Sequence, residues 1–274
     1  MNNAAVVTLP AQPVTQTARP VNQLRVTRSE WIKFSSLRSN WISLLILVAS
    51  IIGLGALISF IVDRNWSSLS ASDQLTFDAI GTSLVGVSLA QLIVAVLGVL
   101  IVTGEYSNGM IRASLAAVPK RFSFLAGKMT MSAVVSFIVA LGATFVAFLV
   151  GQQLLGSHGV SLDAPHALRA IVGASFFLMS VSVISSAFGF ITRSTAGGIA
   201  AVVALLLVLP VIGQLVPYDW ATDVLNYLPG SAGDALMVTT GDASMSVGVA
   251  VVTLIGWMTA SIAVATVLLR RRDV

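Results

Sequence analysis

Six stretches of this chain run for about twenty residues or more without an Asp, Glu, Lys or Arg, at about 41–62, 80–103, 130–154, 170–191, 196–216 and 246–269. Each is long enough to cross roughly 30 Å of hydrocarbon as a helix with some tilt. The lack of charge is informative. One ionised side chain at mid-membrane costs about 2.5–3.5 kcal/mol, as much as about five to ten leucine-like residues return. The pattern predicts an all-α polytopic membrane protein with six transmembrane helices over residues 41–269. Small residues such as Ser182, Ser186, Gly189, Gly197 and Gly198 are placed to let helices approach closely. Pro210 is expected to kink the fifth span by freeing a carbonyl one turn earlier.

Two segments outside the spans carry a helical period of their own. Over residues 24–40, Trp31, Phe34 and Leu37, continued by Trp41, form an apolar stripe, while Arg25, Arg28, Lys33 and Arg38 supply the polar side. That is a basic amphipathic helix with aromatic anchors, suited to lie along a membrane surface. Over residues 104–128, between the second and third spans, Ile111, Leu115 and Val118 recur on one helical face and Arg112 and Ser114 fall off it. Pro119 ends that pattern because it has no N–H to continue the helix, and Ser107 or Asn108 is placed to cap its start. Lys120, Arg121 and Lys128 follow. A short amphipathic helix in such a connector suits docking into a groove on a soluble partner.

Charge sets the direction. Of the 15 basic residues, 13 fall on the side that holds residues 1–40, the second and fourth connectors and the end at 270–274, and eight of the 11 acidic residues fall opposite. By the positive-inside rule both termini are expected to be cytoplasmic. The formal net charge of +4 therefore reports orientation, and no nucleic-acid partner is implied. Only 9% of residues are charged, against about 25% in a soluble domain. Residues 1–23 are rich in Pro, Thr and Gln, lack the apolar core of a secretory signal, and are expected to form a flexible cytoplasmic tail.

Little of the sequence suits chemistry. A phosphate-binding loop of the form G-x-x-x-x-G-K-[ST] is broken, because Phe122 stands where the first Gly belongs and Met129 where the hydroxyl residue belongs, so this chain is not expected to be an ATPase. His158 and His166, near Asp163, lack the spacing of a metal site, and no metal or other cofactor is assigned to the chain. There is no cysteine. Within the spans, interhelical hydrogen bonding accounts for most polar residues, and Gln91 and Gln214 are candidates to line a substrate path.

The residues just described carry a resemblance. Glu105-Tyr106, Gly109, Ile111-Arg112, Leu115, Pro119, Arg121 and Lys128 are similar to the coupling-helix segment of bacterial ABC type-2 exporter permeases. Ser29-Glu30-Trp31-Ile32-Lys33, with Phe34 beside it and Leu37-Arg38-Ser39 after it, resembles the elbow helix that enters the first span of that family. Leu228-Pro229-Gly230-Ser231-Ala232-Gly233 with Asp234-Ala235-Leu236, inside the long connector 217–244, resembles its re-entrant external helices. The resemblance implies a permease subunit of the bacterial inner membrane, paired with an identical or related second copy. A separate ATPase subunit would hold the ATP and Mg. It also implies that Glu105 steadies the base of the coupling helix, that Gly109 allows its turn, and that Arg112 and Arg121 face the ATPase. A non-transporting assembly or resistance subunit of the same fold, or an ATP-independent carrier, is the alternative.

Overall fold

The computed structural model describes residues 22–118, 121–215, 218–239 and 244–271. Most of the expected tail, together with Pro119, Lys120, Pro217 and the last three residues, lies outside them. The helices are α1 (Gln23–Ser36), α2 (Arg38–Arg64), α3 (Ala71–Leu75), α4 (Ala79–Leu84), α5 (Val87–Ser107), α6 (Met110–Ala117) and α7 (Arg121–Leu155). They continue with α8 (Ala167–Thr192), α9 (Thr195–Val203), α10 (Leu209–Gln214), α11 (Asp219–Asn226), α12 (Pro229–Met237) and α13 (Val247–Arg271). Six stretches are long and apolar enough to cross a membrane: α2, α4–α5, α7 with the turn after it, α8, α9–α10 and α13. No strand occurs among the described residues.

The centre of the bundle is α8. Of its most apolar window, 78% is buried inside the protein, against 17% to 50% for the other five. It also has the lowest mean hydropathy of the six, 1.9. The two facts share a cause: a helix walled by protein rather than lipid gains more from small and hydroxylated residues that fit and pair with its neighbours. Gly98 of α5 lies so close to α8 that a Cβ there would stand 2.8 Å from the Ser182 carbonyl oxygen. On the α7 side Ser182 Oγ lies 2.6 Å from Ser132 Oγ and 2.8 Å from Ser136 Oγ, and Thr144 Oγ1 lies 3.1 Å from Ser175 Oγ. Gly189 and Gly198 approach Val99 and Val102 of α5 in the same way, as the small-residue reading expects.

Three spans differ from the sequence expectation in their limits. The second is broken at Val85–Gly86, because Gly86 is pressed against the α2 backbone, where a Cβ would meet the Ser50 and Ile51 carbonyls at 2.5 Å. The third begins at Arg121 and not near 130, so the connector read as 104–128 shrinks to the residues around α6. Helical backbone satisfies its own hydrogen bonds wherever it runs, so a span need not stop where its apolar residues do. In the fifth, residues Ala204–Val208 form a π-turn, with the Leu209 amide reaching back five residues to the Ala204 carbonyl. Pro210 follows at once in the first turn of α10 and supplies no N–H of its own, which is the physical reason a wider turn precedes it.

Residues 24–40 also divide. Leu37 is extended (φ −93°, ψ 116°) and separates α1 from α2, so Trp41 belongs to the first span. Two side chains close the corner: Asn40 Nδ2 donates to the Phe34 carbonyl and Trp41 Nε1 to the Ser35 carbonyl, each at 2.9 Å. The face of α1 that is buried is Val26, Glu30 and Phe34, while Trp31, Leu37 and Trp41 of the apolar stripe are exposed. The long connector after the fifth span holds α11 and α12. Tyr218, Trp220 and Tyr227 are exposed there. α12 packs on α8 and α13, with Gly233 against the Phe177 ring.

Candidate functional site: a buried ring of four charges

At the end of the bundle that gathers the basic residues, four ionised side chains from three helices close a ring. Glu30 and Lys33 come from α1, Glu105 from the last turn of α5, and Lys128 from the second turn of α7. Lys33 Nζ lies 2.7 Å from Glu30 Oε1 and 3.0 Å from Glu105 Oε1. Lys128 Nζ lies 2.6 Å from Glu30 Oε2 and 2.9 Å from Glu105 Oε1. Each ammonium thus touches both carboxylates, and the set is neutral. These four are the ion pairs found among the described residues.

Sequence periodicity builds the site. Glu30 lies one helical turn beyond Val26 and one before Phe34, so it shares their buried face. Lys128 is adjacent to Gly127, and a Cβ on Gly127 would stand 2.7 Å from Val26 Cγ1; the glycine is what lets α1 settle on α7. The Phe124 ring lies 5.6 Å from both Lys33 Nζ and Lys128 Nζ and walls off one side. Lys128 also donates to the Ile101 carbonyl at 3.3 Å. Its side chain is 3% exposed, whereas that of Lys33 is 32% exposed. Burial works against the charge on Lys33, but the Glu30 and Glu105 carboxylates beside it outweigh that and raise its pKa above the ordinary lysine value.

The ring reaches α6 through one hydrogen bond, from Lys33 Nζ to Ser114 Oγ at 3.0 Å. α6 itself begins at Gly109, whose φ of +68° is in the left-handed region where glycine is least strained. Neither Ser107 nor Asn108 caps it: Ser107 Oγ donates to the Gly104 carbonyl in the last turn of α5, and Asn108 closes that helix. Ile111 is buried in one apolar cluster with Phe124, Phe190 and Leu269, and Leu115 and Val118 are half-buried against that cluster. The stripe that the sequence offers for docking is therefore packed on the chain's own core. What α6 leaves exposed is Met110, Arg112, Ala113 and Ala116. Arg121 donates from Nη1 to the Leu269 carbonyl at 2.7 Å and ties the end of α13 to the start of α7.

Beside the ring lies a cavity of about 210 Å³, walled by Phe34, Leu37, Leu100 and Met131 and bordered by Lys33 and Glu105. Glu105 Oε2 is buried and has no hydrogen-bond partner among the described residues. Gln91 and Gln214 are elsewhere. Gln91 is half-buried on α5 and donates to the Ser88 carbonyl at 3.1 Å, with its Oε1 enclosed and unpaired among the described residues. Gln214 is exposed at the end of α10. At the opposite end of the bundle, His158 stacks on Trp66 at 3.7 Å and His166 precedes α8 with a φ of +71°. No group of three or more potential metal ligands occurs among the described residues.

The sequence sets Glu30 and Lys33 in one segment and Glu105 and Lys128 in another, and assigns Lys128 no role of its own. A signal for the ring is nonetheless present. Glu30 and Glu105 are the chain's only glutamates, and both stand on the side where 13 of the 15 basic residues collect. No protein-family model matches this chain, and no curated protein matches it.

Proposed function

We propose that this chain is the membrane-spanning permease subunit of an ATP-driven ABC exporter, set in the inner membrane of a bacterium with both termini cytoplasmic. A separately encoded ATPase would hold ATP and Mg, and a second copy or a related chain would complete the substrate path. The observation that carries the reading is the join between α6 and the bundle: a short helix with an exposed Arg112, keyed through Ser114 and Lys33 to a ring that grips α1, α5 and α7. Motion imposed on the open face of α6 enters three helices together. An ion network that ties three helices at four points is the kind of element that transmits a push between two states. In this reading α1 is the elbow, α6 the coupling helix, and Met110, Arg112, Ala113 and Ala116 the surface that meets the ATPase.

The test is to purify the chain with its candidate ATPase and compare Arg112→Gln and Glu105→Gln with the parent. Coupling free energies of about 1–3 kcal/mol correspond to roughly 5- to 150-fold effects, so substrate-stimulated ATP turnover is expected to fall about tenfold or more. Unchanged turnover and transport in both variants would remove the assigned roles. Flux in vesicles without any ATPase would favour a carrier.

A further inference from the structure

A second cavity lies on the outer side of the corner between α1 and α2. It measures about 480 Å³ and its walls are formed by Thr27 and Trp31 of α1, Trp41 and Leu44 of α2, and residues such as Val134 and Ile138 of α7. Trp31, Trp41, Val134 and Ile138 are all exposed. The two indole rings meet edge to face at 6.4 Å, and Trp41 is fixed there by its bond to the Ser35 carbonyl. Apolar walls of this size give water nothing to bond, so the groove gains most from an apolar occupant.

We infer that this groove holds one acyl chain of an anionic phospholipid whose phosphate is taken by Arg28 and Arg38. Charge selects the occupant. Arg28 sits three residues before Trp31 and Arg38 three before Trp41, so each arginine stands beside a wall of the groove. Both are exposed and make no ion pair or hydrogen bond among the described residues, because the acids on this side of the corner, Glu30 and Glu105, are already taken by lysines. A second copy fits this face poorly. A two-fold contact through it would bring these arginines towards their own counterparts. Along α2, Arg38 precedes Trp41 and Leu44 on the side of α1, which matches the order of depth in a bilayer: phosphate, interface, acyl chain.

The inference rests on the membrane-spanning reading, and its test separates the two. The intact chain, with Trp66, Trp220 and Trp257 replaced by Phe, is placed in nanodiscs that contain phosphatidylcholine or phosphatidylglycerol brominated near the carbonyl end of the acyl chain. Quenching of Trp31 and Trp41 is expected at about tenfold lower mole fraction of the anionic lipid, since each basic residue near the surface favours it severalfold. Arg28→Gln with Arg38→Gln should erase that preference, and the Lys pair should retain most of it. Val135 also lines the α7 wall of the groove, and Val135→Phe, which fills it with both arginines intact, should weaken quenching by either lipid. The unaltered chain gives an independent readout in native mass spectrometry, where it should retain phosphatidylglycerol over phosphatidylcholine. Equal quenching by the two lipids overturns the site while leaving the membrane reading intact. Quenching by neither, with the indoles shielded, means that protein covers the groove and overturns it as well.

Discussion

Lys128 and Lys33 carry the same charge into the same ring, yet they are not equivalent. Lys128 is enclosed by protein, and removing it leaves Glu30 and Glu105 buried with one cation between them. Taking away one member of a buried ion pair typically costs about 3–5 kcal/mol, because the remaining charge is uncompensated. Lys128→Met is therefore expected to lower the thermal unfolding midpoint in detergent strongly. Lys33→Met should lower it less, since that ammonium keeps part of its water. A double-mutant cycle between Lys128→Met and Glu30→Gln checks the contact directly: additive losses would show that the two side chains do not interact. At this scale the sequence was legible only in part. That Glu30 and Glu105 matter can be read from their place among basic residues. That they share two lysines cannot, because the partners are 98 and 23 positions away from Lys128 and no local period links them.

The helices themselves were easier to read, because lipid imposes a length and a composition on each of them. Six spans follow from counting apolar residues, and all six are present. Their limits do not follow: the break at Val85–Gly86 is set by contact with the α2 backbone, the corner at Leu37 by the Asn40 and Trp41 side chains, and the start at Arg121 lies where the apolar count gives no signal. Close approach at glycine decides several of these contacts and gives a prediction about elements. Gly98→Ala would force its methyl group against the α8 backbone at Ser182 and is expected to cost about 1–3 kcal/mol. Gly142→Ala, in α7, meets nothing within 4 Å and is expected to be neutral or to stabilise by about 1 kcal/mol through helix propensity. Unfolding midpoints of the two variants in one detergent make the comparison. Equal effects would mean that α5 and α8 are not packed as tightly as described. The amphipathic stripes were legible as stripes but not as to what they face: on α6 the stripe turns inward, while on α1 it divides, with Phe34 buried and Trp31 and Leu37 exposed.

For the molecule as a whole, the distribution of charge implies a direction across the membrane, and the absence of cysteine makes it simple to test. Ala113 of α6 and Ser67, after α2, are exposed at opposite ends of the bundle. A single cysteine at Ala113 should react with an impermeant maleimide only after the cells are opened, and one at Ser67 should react in intact cells. The reverse pattern would invert the topology and remove any role for α6 in meeting a cytoplasmic ATPase. Large apolar faces remain open on α2, α9–α10 and α13, where only 22%, 22% and 17% of the most apolar windows are buried. Such faces are stable only against lipid tails or another apolar surface. The bundle therefore suits a bilayer, where lipid can cover those faces.

The modest hydropathy of α8 bears on how the chain is made. A ribosome-fed insertion channel sorts each segment by its affinity for lipid, and the serine-bearing α8 is the least attractive of the six. Its close neighbours α5 and α7 are both synthesised before it. By the time α8 emerges, the glycine and hydroxyl surfaces it needs are already waiting in the bilayer, so the order of translation delivers the least greasy helix to a prepared berth.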